Sequence, residues 1–224
     1  MADFRGFPKE TFAFLRGLSK NNKKLWFDAH KDDYENFYVA PAVAFIEALG
    51  PRLKKLSKRV EFEARAGGSL MRIYRDVRFS KDKRPYKDHL DLFFWEGRNK
   101  GWDAPGFFMR LTKDEVWLGT GMHHFMDPKR VASYRRAVDD DAKGKKLATL
   151  VAKLRKAGYT VGGEELKKVP KGFEPDHPRA ALLKHKGLFA MAETTPKNAQ
   201  GKGFIAWCAK EFETLEPINE WLRS

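Results

Sequence analysis

The sequence predicts an α+β fold, in which a mostly antiparallel sheet of about five strands is flanked by helices from both ends of the chain. Two observations predict this class. Apolar stripes with helical spacing occupy both ends of the chain, whereas the middle shows period-two alternation and short turns. The middle strands follow one another without intervening helices, which is typical of antiparallel pairing and not of a βαβ series.

The first part of the chain has the spacing of helices. Residues 8–19 are predicted to form a helix, because Pro8 suits a first turn and Phe12, Leu15 and Leu18 make one apolar stripe. A longer helical pattern covers residues 34–56. Pro41 should kink or break it, since its ring removes one amide donor. Further helices are expected at 128–138, 142–157, 178–186, 201–213 and 215–222.

The middle of the chain has the spacing of strands. Residues 60–65 alternate apolar and charged side chains, which is the period of a half-buried strand. The turn at 112–114 is short enough to join two strands as an antiparallel hairpin. Residues 159–176 contain several glycines and prolines and are expected to be irregular. The other predicted strands are 69–75, 89–95, 106–112, 115–120 and a short one near 188–193.

Length and composition predict a single domain spanning residues 1–224. Undivided cores persist to roughly 250 residues, and the 42% hydrophobic content is ordinary for a packed protein. The one cysteine, Cys208, excludes an internal disulfide and is expected to be buried in a helix. No apolar run resembles a membrane span or a signal peptide, so we expect a cytoplasmic protein without a membrane partner.

The charge balance is strongly basic. The chain has 44 Lys and Arg residues against 30 Asp and Glu residues, a net charge of +14. Such a surplus favours nucleic acid or a small phosphorylated ligand as partner, although it also serves as a solubilising surface. One group of cations lies on the predicted helices of 128–158, and it would form a polyanion track if it lay beside the segment described next.

The densest charge cluster is residues 72–87, here called the basic segment. It has seven cations and two carboxylates, a net charge of +5, in a predicted strand–loop–strand. Arginine suits an anion site because its planar guanidinium makes two parallel contacts to phosphate or carboxylate. We therefore predict that this segment binds an anionic ligand. The predicted ligand-binding residues are Arg72, Arg75, Arg78, Lys83 and Lys87.

Two other interpretations of the basic segment stay open. In the first, Asp76 anchors Arg75 or Arg78 in a purely structural network, and the protein is an interaction or structural protein without a ligand. In the second, the cations hold the phosphate or carboxylate of a substrate, and Asp76 or Tyr86 transfers a proton. Because the sequence has no Walker pattern and no Gly-x-Ser-x-Gly elbow, it indicates no cofactor. The sequence also gives no oligomeric state.

Short polar clusters have structural interpretations. Asn21 and Asn22 are expected to end one helix and cap the next, and Asp139–Asp141 to cap a helix N-terminus. His123 and His124 are consecutive on a predicted strand, where side chains point to opposite faces. We therefore predict no metal site at these two histidines.

The string RDVRFSKDKRPYK within the basic segment resembles the signature of the conserved hypothetical protein family DUF2461. Similar segments elsewhere are Asn21-Asn22 with Trp26-Phe27, Gly119-Thr120-Gly121 with Arg130, and 170–173 with His177-Pro178 and Leu183-Lys184. The resemblance covers residues 4–222 and implies one α+β domain without an assigned catalytic residue. One departure is that the family usually shows an aromatic residue and a proline soon after the Gly-x-Gly, whereas this chain has Met122-His123-His124-Phe125-Met126-Asp127-Pro128 there.

Overall fold

The computed structural model describes residues 4–97 and 104–224. Helices before the sheet are α1 (Lys9–Lys20), α2 (Lys24–Ala29), α3 (Lys31–Tyr34) and α4 (Ala40–Leu56), with a π-helical turn at Glu35–Val39. The strands are β1 (Val60–Glu61), β2 (Leu90–Glu96), β3 (Gly106–Leu111), β4 (Val116–Met122), β5 (Thr160–Glu164) and β6 (His185–Thr194). Later helices are α5 (Pro128–Asp139), α6 (Asp141–Lys156), α7 (Ala180–Leu183), α8 (Pro196–Ala199), α9 (Phe204–Leu215) and α10 (Pro217–Arg223).

The strands form one antiparallel sheet in the order β1-β2-β3-β4-β6-β5. The α+β class with a mostly antiparallel sheet is therefore confirmed. The predicted hairpin between β3 and β4 is also confirmed, since these strands are neighbours and the amide of Thr112 donates to the carbonyl of Glu115. Strand β5 lies within the stretch predicted to be irregular. It forms because it pairs with β6, where Val161 lies opposite Ala190. This long-range pairing outweighs the low strand preference of its two glycines.

The chain divides into two compact units. The first unit comprises Met1–Phe94, Phe108–Leu118 and Glu193–Glu211. The second unit comprises Trp95–Phe107, Gly119–Ala192 and Phe212–Ser224. That the whole chain behaves as one domain stays a prediction.

The helices of the first unit begin and end close to the predicted positions. The stripe of α1 is buried, and Phe7, Phe45 and Phe204 pack against one another. Pro41 lies in the first turn of α4, directly after the π-helical turn. The irregularity predicted at this proline is therefore a widened turn in a continuing helix. Cys208 is fully buried in α9, as predicted.

In the second unit, aspartate side chains cap two helices, and a glycine lets two strands approach each other closely. The Asp127 side chain accepts from the amide of Lys129 at the start of α5, and Asp140 caps α6 through the amide of Lys143. The capping role predicted for the acidic triplet is thus confirmed. Gly121 has φ +116°, and a Cβ there would overlap the carbonyl of Leu188. The second glycine of the Gly-x-Gly motif therefore lets β4 approach β6 closely.

Besides β5, three segments differ from their predictions. The strand predicted at 60–65 is paired only at Val60–Glu61, and the helix predicted at 178–186 is reduced to α7. The strand predicted at 69–75 is wrong, because only isolated bridges occur there, from Leu70 and from Tyr74. Aspartate side chains satisfy backbone amides in the following loop, and Pro85 has no amide to donate.

In the described part of the chain, every helix is too short or too polar to cross a bilayer.

Candidate functional site

The basic segment lies in the first unit and folds back on itself. The amide of Arg75 donates to the carbonyl of Pro85 at 2.9 Å, and the amide of Lys87 donates to the carbonyl of Ile73 at 2.8 Å. Tyr74 and Tyr86 face each other as an isolated antiparallel bridge between these two bonds. The segment is therefore a narrow doubled loop, closed at its base by backbone bonds.

Asn22 attaches this loop to the helical part of the first unit. Its amide nitrogen donates to the carbonyl of Tyr86 at 2.9 Å, and its amide oxygen accepts from the amide of Tyr86 at 3.0 Å. The Tyr86 ring also stacks on Phe27 with centroids 4.2 Å apart. Asn22 was predicted to cap α2, but Lys23 occupies that position. Asn22 instead pairs with the loop backbone, 64 residues away in sequence.

Carboxylates of the loop neutralise most of its arginines. Arg78 binds Asp76 through two contacts, Nε to Oδ1 at 3.0 Å and Nη2 to Oδ2 at 2.7 Å. Asp82 binds Arg75 at 2.8 Å and Arg84 at 2.9 Å. The Arg84 contacts hold the pKa of Asp82 well below its usual range, so its charge persists at neutral pH. The interpretation of the segment as a structural network, in which carboxylates anchor the arginines, therefore fits Arg75, Arg78 and Arg84.

A second ion-pair cluster surrounds Asp91, directly after the basic segment. Arg110 on β3 donates to both oxygens of Asp91, at 2.6 Å and 3.0 Å, and the Lys87 ammonium lies 3.3 Å away. The His89 Nε2 atom lies 3.2 Å from the same carboxylate. Burial opposes ionisation of Asp91, but the contacts from His89 and Arg110 outweigh it and lower its pKa. Lys87 thus has a local structural partner.

Three cations of the basic segment form no ion pair in the described chain: Arg72, Lys81 and Lys83. All three are exposed, although Arg72 lies near enough to Asp76 for its charge to lower the pKa of that carboxyl. The Lys83 ammonium donates only to the carbonyl of Val77, at 3.0 Å, which leaves its charge unneutralised. Of the predicted ligand-binding residues, Lys83 therefore keeps a charge that no carboxylate offsets, whereas the charge of Arg72 is partly offset by Asp76. Lys81 is a further exposed cation, which was not among the predicted ligand-binding residues.

The same loop exposes two aromatic rings. Phe79 is 94% exposed and Tyr74 is 60% exposed, whereas the other aromatic side chains within residues 4–97 and 104–224 are largely packed. The guanidinium of Arg78 lies over the Phe79 ring, 5.8 Å from its centroid. Phe79 was not among the residues predicted to bind a ligand. The available signal in the sequence was an aromatic residue between two cations, Arg78 and Lys81, in a predicted loop.

The two candidate proton-transfer residues occupy different environments. The Arg78 contacts lower the pKa of Asp76, which is exposed and has both oxygens in the ion pair. Burial raises the pKa of Tyr86, whose ring is 4% exposed. At neutral pH, Asp76 is therefore a paired carboxylate and Tyr86 a neutral phenol. Neither group is poised to exchange a proton near pH 7.

The family model of the conserved hypothetical proteins DUF2461 matches residues 10–221, and the chain belongs to this family. No curated protein matches the chain. The family resemblance expected from the motifs is thus confirmed. The description of the family assigns no activity.

Proposed function

We propose that the protein binds single-stranded nucleic acid through the tip of the basic segment. The ligand-contacting residues in this proposal are Phe79, Lys81 and Lys83 at the tip, with Arg78 beside the Phe79 ring and Arg72 at the base of the loop. The observation that supports it most is that the exposed rings of Tyr74 and Phe79 lie in the same loop as Lys81 and Lys83, two exposed cations that form no ion pair in the described chain. Proteins that bind single strands combine these two features, because cations follow the backbone and aromatic rings stack on bases.

The fixed base of the loop supports this proposal. Asn22, the Phe27–Tyr86 stack and the backbone bonds at Arg75 and Lys87 hold the loop before any ligand arrives. A site fixed in advance loses less conformational entropy on binding than a mobile one does. The ion pairs at Asp76 and Asp82 then serve to shape the loop, and the remaining cations serve the ligand.

An extended polyanion fits the tip better than a small metabolite does. Small ligands are usually held in concave pockets that remove most of their surface from water. Phe79 is instead 94% exposed and Lys81 and Lys83 are also exposed, so the tip offers a projecting surface. A strand of nucleotides can lie across such a surface and contact several cations at once. The proposal includes a cytoplasmic location, where such strands are abundant.

Fluorescence anisotropy with a labelled RNA or DNA strand of about 12 nucleotides, within the usual range of site sizes, tests the proposal. We expect Phe79→Ala to weaken binding about tenfold, since stacking contributes ~1–3 kcal/mol per base. Lys83→Gln should weaken binding by a few-fold to about tenfold through the loss of one phosphate contact.

Lys55→Gln is the matched control, because Lys55 is an exposed cation of α4 in the same unit. It changes the net charge of the protein as Lys83→Gln does, and it should leave the affinity nearly unchanged. Equal weakening by both lysine variants would indicate a diffuse charge effect. That result, or unchanged binding in Phe79→Ala, would reject the tip as the binding surface.

A further inference from the structure

The first unit contains a cleft that shares no residue with the basic segment. Its volume is about 390 Å³, within the range of roughly 300–1,000 Å³ that small-molecule sites occupy. Side chains of α1, α2 and α3 and of the π-helical turn line it. The cleft is therefore a separate feature from the loop to which we assign nucleic-acid binding.

Two small residues of α1 leave room for this cleft. A Cβ at Gly17 would lie 2.7 Å from the Trp26 ring, so the glycine lets this ring pack against α1. Ala13 lies one helical turn before Gly17, is exposed, and also lines the cleft. A larger side chain at Ala13 would therefore fill part of the space.

Two half-buried aromatic side chains contribute apolar surface to the cleft. Phe37 forms no ring–ring contact within residues 4–97 and 104–224, so its ring is not covered by another aromatic group. Trp26 has one face stacked on His30, with centroids 3.9 Å apart, and it is also only half-buried. Part of both rings is thus left for a ligand, and aromatic faces attract cations.

The charged side chains that line the cleft are carboxylates. Glu10 and Asp33 line it, and no lysine or arginine of the described chain does, although the protein has 44 such residues. Asp33 forms no ion pair or side-chain hydrogen bond within the described residues. Glu10 lies 4.0 Å from the ammonium of Lys9, whose side chain is 82% exposed, and such an exposed pair is weak. Both carboxylates can therefore meet a cation.

The surrounding sequence and His30 add to this preference. Residues 28–37 have four carboxylates against one lysine, in a chain whose net charge is +14. The His30 Nδ1 atom lies 2.8 Å from the carbonyl of Trp26, to which it can only donate. The neutral ring then keeps Nε2 as a hydrogen-bond acceptor. The cleft thus combines acceptors and negative charge with aromatic surface.

We infer that this cleft binds a small primary ammonium compound with an apolar body. The ammonium meets Asp33 and Glu10, and the apolar body packs against Phe37 and Trp26. An ammonium group has three donors and no acceptor, so it is complementary to carboxylates and to an imidazole lone pair. A neutral compound of the same shape uses only the apolar part of the cleft, and an anion is repelled.

Isothermal titration of the intact chain with phenethylammonium chloride tests this inference, with phenethyl alcohol as the uncharged counterpart. We expect the ammonium compound to bind about tenfold more tightly than the alcohol, the scale for a hydrogen bond to a charged group. Asp33→Asn should weaken binding of the ammonium compound by a similar factor. Because the Asp33 side chain has no bond to lose, this variant should keep the melting temperature of the wild type.

Ala13→Leu provides a second variant that changes no charge. It should weaken binding of both the ammonium compound and the alcohol by filling the cleft. Ala13 is an exposed residue of α1, and leucine is a good helix former, so this variant should fold.

Asp32→Asn is the matched control, since Asp32 is exposed, lies beside Asp33 in the first turn of α3, and does not line the cleft. It should bind phenethylammonium as the wild type does, and so should Lys83→Gln in the basic segment. Absence of binding at millimolar phenethylammonium would overturn the inference. Equal affinity for the alcohol, or equal weakening in Asp32→Asn and Asp33→Asn, would also overturn it, because neither result needs a cation held by Asp33.

Discussion

The basic segment of the first unit and the basic helices α5 and α6 of the second unit use their carboxylates differently. In the basic segment, Asp76 and Asp82 neutralise three arginines and thereby shape a loop. In α5 and α6, Asp127 and Asp140 instead accept hydrogen bonds from backbone amides and cap the two helices. A count of cations along the sequence treats the two regions alike. Their chemistry diverges because carboxylates alternate with the arginines in one region and lie at the starts of helices in the other.

The largest expected effect comes from the ion-pair cluster at the end of the basic segment. Asp91→Asn leaves Arg110 and Lys87 without their shared carboxylate in a partly buried position. We expect a loss of about 2–3 kcal/mol, the scale of hydrogen bonds to a charged group. For a domain of this size the melting temperature should fall by about 4–12 °C, at 2–4 °C per kcal/mol. Thermal denaturation by circular dichroism measures it.

Acid titration provides the control for that variant. The folded pKa of Asp91 is lowered, so its contribution to stability is complete above its ordinary pKa near 4 and is lost as the pH falls below that value. The wild type should lose stability below about pH 4 more steeply than Asp91→Asn does. If the stability of both proteins falls with pH equally steeply, the Asp91 carboxylate does not stabilise the fold through Arg110 and Lys87.

A smaller effect is expected in the second unit, at His185. Burial lowers the pKa of this fully buried ring, whose Nε2 atom has no hydrogen-bond partner in the described chain. The unfolded chain therefore binds a proton more readily than the folded one. Stability should decline as the pH falls below the ordinary histidine value of about 6.5.

Thermal melts between pH 7.5 and 5.5, a window around that ordinary value of about 6.5, measure this decline. His185→Gln should show a flatter dependence, because glutamine does not titrate. An equally steep curve in His185→Gln would assign the decline to another group.

The features that could be predicted from the sequence are those whose determining contacts are local. The stripe of α1 and the cap at Asp140 depend on residues three or four positions apart, and both were predicted. The clamp from Asn22 to Tyr86 spans 64 residues, so no local pattern could reveal it. The basic segment was defined to end at residue 87, so its net charge of +5 leaves out Asp88 and Asp91. These two carboxylates, partners of Arg84 and Lys87, reduce the net charge to +3 over residues 72–91.

The salt dependence of strand binding tests the central claim most directly, namely that the unpaired cations at the tip contact phosphates. The affinity of the wild type for a single strand should fall linearly on a log–log plot against salt. Lys81→Gln and Lys83→Gln should each reduce the slope by about 0.7, the value for one phosphate contact on a single strand. Lys55→Gln should leave the slope unchanged, and none of these variants should change the melting temperature. Slopes identical in all four proteins, or no binding at low salt with protein at tens of micromolar, on the order of non-specific affinities, would contradict the account.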